Sequence, residues 1–267
     1  MRATEVKVLA LDFDGVLCDG RPEYFEAARR AYRQTWPAAR SAPDGAAAAF
    51  AAYRPLVESG WEMPVLLHAV LIGEPAEALI DRATWLATAR RLLAAADLAP
   101  ELVGRALNHA RDEWFARDPG DWLRHNLFYP GVVPRLVQTV AEGTPVAVVT
   151  TKAERFARAL LTAQDSRLEQ LPIVGREPGR AIPKPESLVR LAAAHGLQAG
   201  AEGLWFVEDL LETLDSVHAT PALAAARLFL ADWGYNTLEQ RASVGWRPHV
   251  RLLSPGAWTA PFSSWPK

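Results

Sequence analysis

At 267 residues, half of them hydrophobic, the chain is long enough for one large domain or for a core carrying a substantial insertion. A net charge of −2 without any basic run argues against nucleic acid as the main partner, since phosphate-backbone binding needs clustered Lys and Arg. No apolar stretch reaches membrane length, the N-terminus shows no secretory leader pattern, and the single cysteine, Cys18, excludes an intramolecular disulfide, so a soluble cytoplasmic protein with no membrane partner is expected.

The first predicted element is an apolar strand over Val8-Leu9-Ala10-Leu11, closed by Asp12-Phe13-Asp14-Gly15. A continuous apolar run bounded by glycine reads as a strand buried on both faces of a parallel sheet, and ligands bind beyond the carboxyl ends of such strands. Asp12 and Asp14 sit at alternate positions and are therefore expected to face the same side. Two carboxylates held so close repel each other unless a cation or a shared proton intervenes.

Ala-, Leu- and Arg-rich stretches over 23–35, 46–58, 64–71, 77–96 and 101–115 then predict helix after helix. Breaks are expected at Pro37, Pro43, Gly60, Gly73, Pro100 and Pro119-Gly120. From Tyr129-Pro130-Gly131 onward helices alternate with short β-rich runs at 146–149, 171–174, 204–207 and 227–230. Such alternation means a parallel sheet with crossover helices, and the first strand must belong to it because an isolated strand is not stable. The expected architecture is an α/β, Rossmann-like core of residues 1–19 and 129–267, interrupted by an all-helical domain of residues 20–128. No function is read from the segment after residue 240.

Polar residues at four strand ends or nearby loops are expected to meet at one sheet edge. Asp12 and Asp14 come first. Thr150 ends the second predicted strand and offers a hydroxyl and a backbone N–H at a helix start, a cradle for phosphate oxygens, with Thr151 beside it. Lys184 lies between Pro183 and Pro185 in a chain whose only other lysines are Lys7, Lys152 and Lys267, so a compact point charge is wanted there. Lys152 reads as a surface or supporting charge. Glu208 and Asp209 end the strand predicted at 204–207, and carboxylates from two strands could hold Mg²⁺.

These residues, in this order, resemble the haloacid dehalogenase superfamily, mostly phosphatases with a helical cap inserted after the first strand. Asp12-Phe13-Asp14-Gly15-Val16 resembles the first motif, Thr150 in Val148-Val149-Thr150-Thr151-Lys152 the second, Lys184-Pro185 the third and Glu208-Asp209 the fourth. Tyr129-Pro130-Gly131-Val132 is similar to the return from cap to core in phosphoglycolate-phosphatase-like members. The resemblance implies that Asp12 is the nucleophile, Asp14 the acid and base, and that Thr150 and Lys184 hold the phosphoryl group. It implies Mg²⁺ on Asp12, the Asp14 carbonyl, Asp209 and Glu208. Many members carry Gly-Asp in the fourth motif, so whether Glu208 or Asp209 touches the metal stays open.

Within the helical stretch, Arg54, Glu58 and Trp61 flank a predicted helix stop at Gly60 and are candidates for reading the substrate. The other tryptophans of that stretch, Trp36, Trp85, Trp114 and Trp122, are expected to be core, and the six histidines show no metal-ligand spacing. Asp14 favours phosphoryl transfer over dehalogenation. The absence of lysine between Lys7 and Lys152 closes the Schiff-base route of a phosphonatase. The expected activity is Mg²⁺-dependent hydrolysis of a small phosphorylated metabolite through an aspartyl-phosphate. A sugar phosphomutase and a noncatalytic phospho-ligand binder are the alternatives, and the oligomeric state is not legible.

Overall fold

The computed structural model describes residues 5–36, 41–177, 180–197 and 200–267; the predicted break at Pro37 lies outside them. In chain order the elements are β1 (Val8–Leu11), β2 (Cys18–Asp19), α1 (Arg21–Thr35), α2 (Ala46–Ala52), α3 (Glu62–Ile72), α4 (Arg82–Ala95), α5 (Pro100–Arg117) and α6 (Pro119–Arg124). There follow β3 (Leu127–Phe128), α7 (Val132–Ala141), β4 (Val146–Val149), α8 (Glu154–Gln164), β5 (Ile173–Val174), β6 (Arg176–Glu177), β7 (Arg180–Ala181) and α9 (Lys184–Ala194). The chain ends with β8 (Leu204–Glu208), α10 (Leu211–His218), β9 (Arg227–Ala231), α11 (Leu238–Ser243), β10 (Val250–Leu253) and α12 (Pro255–Thr259). Internal packing divides the chain into Met1–Asp19 with Leu127–Lys267, and Gly20–Asn126.

The first unit is built on a parallel sheet of order β10-β9-β8-β1-β4-β5. Every residue of β1, β4 and β8 is buried, as their unbroken apolar runs require for strands covered on both faces. On one face Val8, Ala10, Ala147, Val149 and Phe206 pack with Leu188 and Leu191 of α9 and Leu211, Leu214 and Val217 of α10. On the other, Trp205 meets Phe229 and Trp265 with ring centroids 5.3 and 5.6 Å apart, and Trp265 lies 5.6 Å from Trp258 of α12. The segment after residue 240, silent in sequence, thus supplies an edge strand and much of an aromatic layer. β2 and β3 pair antiparallel, so the chain leaves this unit and returns to it on neighbouring strands.

The second unit is helical and has its own core: Tyr32, Phe50, Trp85, Trp114 and Trp122 are at most 2 % exposed. Three helix expectations change. The helix expected over 46–58 stops at Ala52 and gives way to a 3-10 turn at Arg54–Leu56, because Pro55 has no N–H with which to continue the α-helical hydrogen bonding. The helix expected over 77–96 is split by Asp81, whose side chain accepts the Thr84 N–H at 2.8 Å and starts α4 afresh. Pro119-Gly120 separates two helices and also opens the second: Asp118 caps α6 by accepting the Asp121 N–H, and Pro119 occupies the first turn, where its missing N–H costs nothing. The strand expected over 171–174 shortens to Ile173–Val174. No helix among the described residues is long and apolar enough to cross a membrane.

Candidate active site

Three adjacent strands, β8, β1 and β4, deliver the site from their carboxyl ends. Asp12 follows β1, donates its N–H to Val207 O at 2.9 Å and is 5 % exposed. Asp14 lies beyond the strand, in a turn closed by the Leu17 and Cys18 N–H groups on Phe13 O and by a lone bridge to Cys18. Both aspartates thus lie past the end of β1 at Leu11, so strand alternation does not by itself place them, and they meet different partners. Gly15 makes that turn possible with φ +92°, and a Cβ there would fall 2.0 Å from Asp209 Oδ2.

Lys184 opens α9 directly after Pro183, and its Nζ lies 2.9 Å from Asp12 Oδ1 and 2.6 Å from Glu208 Oε2. Glu208, the last residue of β8, is fully buried and accepts the Leu210 N–H at 3.1 Å. Asp209 is 1 % exposed and accepts the Tyr235 N–H on Oδ2 at 2.8 Å. Carboxylate oxygens of Asp12, Glu208 and Asp209 lie within 4.8 Å of one another, the one such acidic group among the described residues.

Burial pushes the Asp12 carboxyl up to about 7; Lys184 pulls it back and Glu208 pushes it further, with Asp14 the smallest contributor. Repulsion inside the Asp12–Asp14 pair is thus a minor part of the electrostatics. Glu208 is likewise raised to about 7, by burial first, with Lys184 opposing and Asp209 reinforcing. Burial alone would lower the Lys184 ammonium, but Asp12 and Glu208 outweigh it and hold it above its ordinary range. Three buried acids converge here, two of them on one lysine, and the donor set is oxygen-only. That set fits a hard divalent cation.

Thr150 follows β4 and is 3 % exposed. Its N–H is committed to Val174 O at 2.9 Å, and α8 begins only at Glu154, so the hydroxyl rather than a helix-start amide is what Thr150 can offer a ligand. Its Oγ1 accepts the Lys152 N–H at 3.1 Å, while Thr151 is exposed. Gly175 permits the close approach behind Thr150: it has φ +127°, and a Cβ there would sit 2.2 Å from Thr150 O.

Lys152 is not a surface charge. Its side chain is 7 % exposed and its Nζ lies 3.0 and 3.3 Å from the two oxygens of Asp14. The signal was present in the sequence: the scarcity of lysine that singled out Lys184 applies equally to Lys152. The residues Trp233 to Asn236, which contact Asp209 and the Asp14 turn, carried no such signal.

Arg54, Glu58 and Trp61 lie in the helical unit. Arg54 is buried, donates to Val57 O at 2.7 Å and stacks its guanidinium over Tyr24 at 5.0 Å. Glu58 pairs with Arg82 at 3.0 Å, and Arg82 also pairs with Glu62. Trp61, half-buried, precedes α3. The turn between Leu56 and Glu62 is a braced frame: Arg82 donates to Leu56 O at 2.9 Å, and Ser59 N–H to Glu62 Oε1 at 2.9 Å.

The family model of haloacid dehalogenase-like hydrolases matches residues 6–216, and the chain belongs to that family. A comparison with curated proteins finds no match. Among solved structures, a predicted phosphoglycolate phosphatase of Haemophilus somnus is similar at 16% identity and TM-score 0.58, covering 88% of this chain and 89% of that one. A predicted phosphatase of Clostridium acetobutylicum is 12% identical with TM-score 0.56, over 90% and 91% of the two chains. A predicted β-phosphoglucomutase of Thermotoga maritima is 16% identical with TM-score 0.55, over 95% and 97%. At these identities the likeness is one of fold.

Proposed function

We propose that the protein is a Mg²⁺-dependent phosphatase of a small phosphorylated metabolite, and that Gly20–Asn126 acts as the cap that selects it. The observation that carries this reading is the separation of two aspartates onto two lysines: Asp12 against Lys184 and the buried acids, Asp14 against Lys152. In this reading one carboxylate serves as nucleophile and the other as proton carrier.

In this reading an Asp12 oxygen attacks phosphorus as the ester P–O bond breaks, and Asp14 delivers a proton to the departing oxygen. Asp14 then takes a proton from water, whose oxygen attacks the aspartyl-phosphate, releasing phosphate and restoring Asp12. Lys184 and the Thr150 hydroxyl hold the phosphoryl oxygens while charge spreads over them. Asp12, the Asp14 carbonyl, Asp209 and Glu208 would hold Mg²⁺, which supplies further charge stabilisation to the phosphoryl group. Arg54 and Glu58 brace the turn around Trp61, and substrate choice is assigned to that turn; its support is the bonding that keeps it in one shape.

The test is a screen of phosphorylated metabolites with Mg²⁺, reading inorganic phosphate, with Asp12→Asn as control. Phosphate release by the wild type and none by the variant supports the reading. No turnover of any ester, with phosphate binding unchanged in Asp12→Asn, would sink it. Movement of phosphate between positions of one sugar, without release, would establish a mutase instead.

A further inference from the structure

Beyond β9, and beyond the matched region 6–216, the chain turns through Trp233-Gly234-Tyr235-Asn236 against the site. A Cβ on Gly234 would lie 2.2 Å from Asp209 Cβ and 2.7 Å from Gly15 O, so only glycine lets the segment pass between this acid and the nucleophile turn. From that position the Tyr235 N–H fixes Asp209 Oδ2 at 2.8 Å. Asn236 Nδ2 donates at once to Asp209 O, at 3.0 Å, and to Ala231 O, at 2.8 Å, tying the acid's backbone to the end of β9. The same segment reaches the turn after Asp14: Trp233 Nε1 donates to Val16 O at 3.0 Å and Tyr235 OH to Cys18 O at 3.4 Å.

Asn236 is 4 % exposed, and its Oδ1 is buried without a hydrogen-bond partner among the described residues. Rotating the amide would set that oxygen against two carbonyl oxygens, so the orientation is dictated by the donors. A buried acceptor left unmade costs stability. The residue is explained by what its NH₂ group holds, which is Asp209.

We propose that Trp233–Asn236 is a positioning element for the cation site, with Asn236 the positioning residue that sets divalent-cation affinity through Asp209. The inference rests on the cation reading of Asp12, Glu208 and Asp209. Outer groups that orient a ligand typically change metal affinity by about 10–100-fold when removed.

Mn²⁺ is the probe, titrated into the full chain without substrate while the electron paramagnetic resonance signal of free Mn²⁺ is followed. Asn236→Ala should weaken binding by about tenfold or more, and turnover should recover at saturating Mn²⁺, which a damaged fold would not allow. Asn236→Leu keeps the side-chain branching, deletes the donor and should lose the same affinity, should the alanine variant fail to fold. Leu136→Ala, which opens a cavity at a buried position of α7, should lower thermal stability while leaving Mn²⁺ affinity unchanged. Wild-type binding with equal affinity in the Asn236 variants, or an equal loss in Leu136→Ala, overturns the positioning role alone. If the wild type binds no Mn²⁺, the cation reading falls and this inference falls with it.

Discussion

The two units bury carboxylates in opposite ways. In the helical unit, Glu23 and Glu62 are each fully buried and each compensated: Glu23 by Arg111 at 2.8 Å and the Trp122 indole at 3.4 Å, Glu62 by Arg82 and the Trp85 indole at 2.8 Å. In the sheet unit, Asp12 and Glu208 share the ammonium of Lys184 with buried Asp209 beside them, and Asp12 and Glu208 are raised to about 7. A buried acid with a full set of partners is architecture. A buried cluster of converging acids is held at a cost that the rest of the fold must offset, and such clusters mark functional sites.

The sharpest way to break this contrast is Asp12→Asn. Phosphate release should fall by about 10⁴-fold or more, since an amide cannot take the place of the carboxylate nucleophile, while the melting temperature holds or rises. Substantial residual turnover would show that the cluster is not catalytic.

Next comes pH. The folded values of about 7 for Asp12 and Glu208 lie above the ordinary 3.8 and 4.5, so the folded state holds protons that the unfolded chain releases. Stability without metal should therefore fall as pH rises from about 4 to about 7 and level off above. Lys184, also raised, titrates far above this window and does not alter the sign. Melting curves across this range in EDTA should show the decline, and Mg²⁺ should remove most of it. A flat profile in EDTA would mean that the acids are already compensated.

In the helical unit, Glu23→Gln should cost about 2 kcal/mol, because Arg111 loses the carboxylate charge at 2.8 Å but is itself 15% exposed and partly solvated. Urea midpoints with unchanged turnover would confirm a structural role; a loss of turnover at equal stability would not fit. The smallest effect is expected at Lys152→Ala, where turnover should drop about tenfold with phosphate affinity kept, as Asp14 loses the group that orients it. Lys152→Arg should recover part of the rate. Unchanged kinetics would reduce the Asp14–Lys152 contact to a resting-state pair.

The strands at 146–149 and 204–207 were legible because an unbroken apolar run is a local signal, and both appear in the sheet with β8 one residue longer. Asp12, Thr150, Glu208 and Asp209 were legible as polar residues at the ends of such runs, and Lys184 through the scarcity of lysine and its two flanking prolines. The boundaries of α2 and α4 were less so, since Pro55 and the Asp81 cap act at single residues inside otherwise helical composition. β10 and the aromatic layer of Trp258 and Trp265 left no periodic pattern, as an edge strand and a packed tail acquire their places only against a formed sheet.

By itself, then, the sequence determined the alternation of elements, the parallel sheet and the residue types at its active edge, all of which follow from short-range hydrophobic patterning. The tertiary structure alone decided who partners whom: Lys152 with Asp14 across 138 residues, Asn236 with Asp209 across 27, and Lys184 with both Asp12 and Glu208. Those pairings depend on strand order and on close approaches at Gly15, Gly175 and Gly234, long-range geometry that no local periodicity encodes.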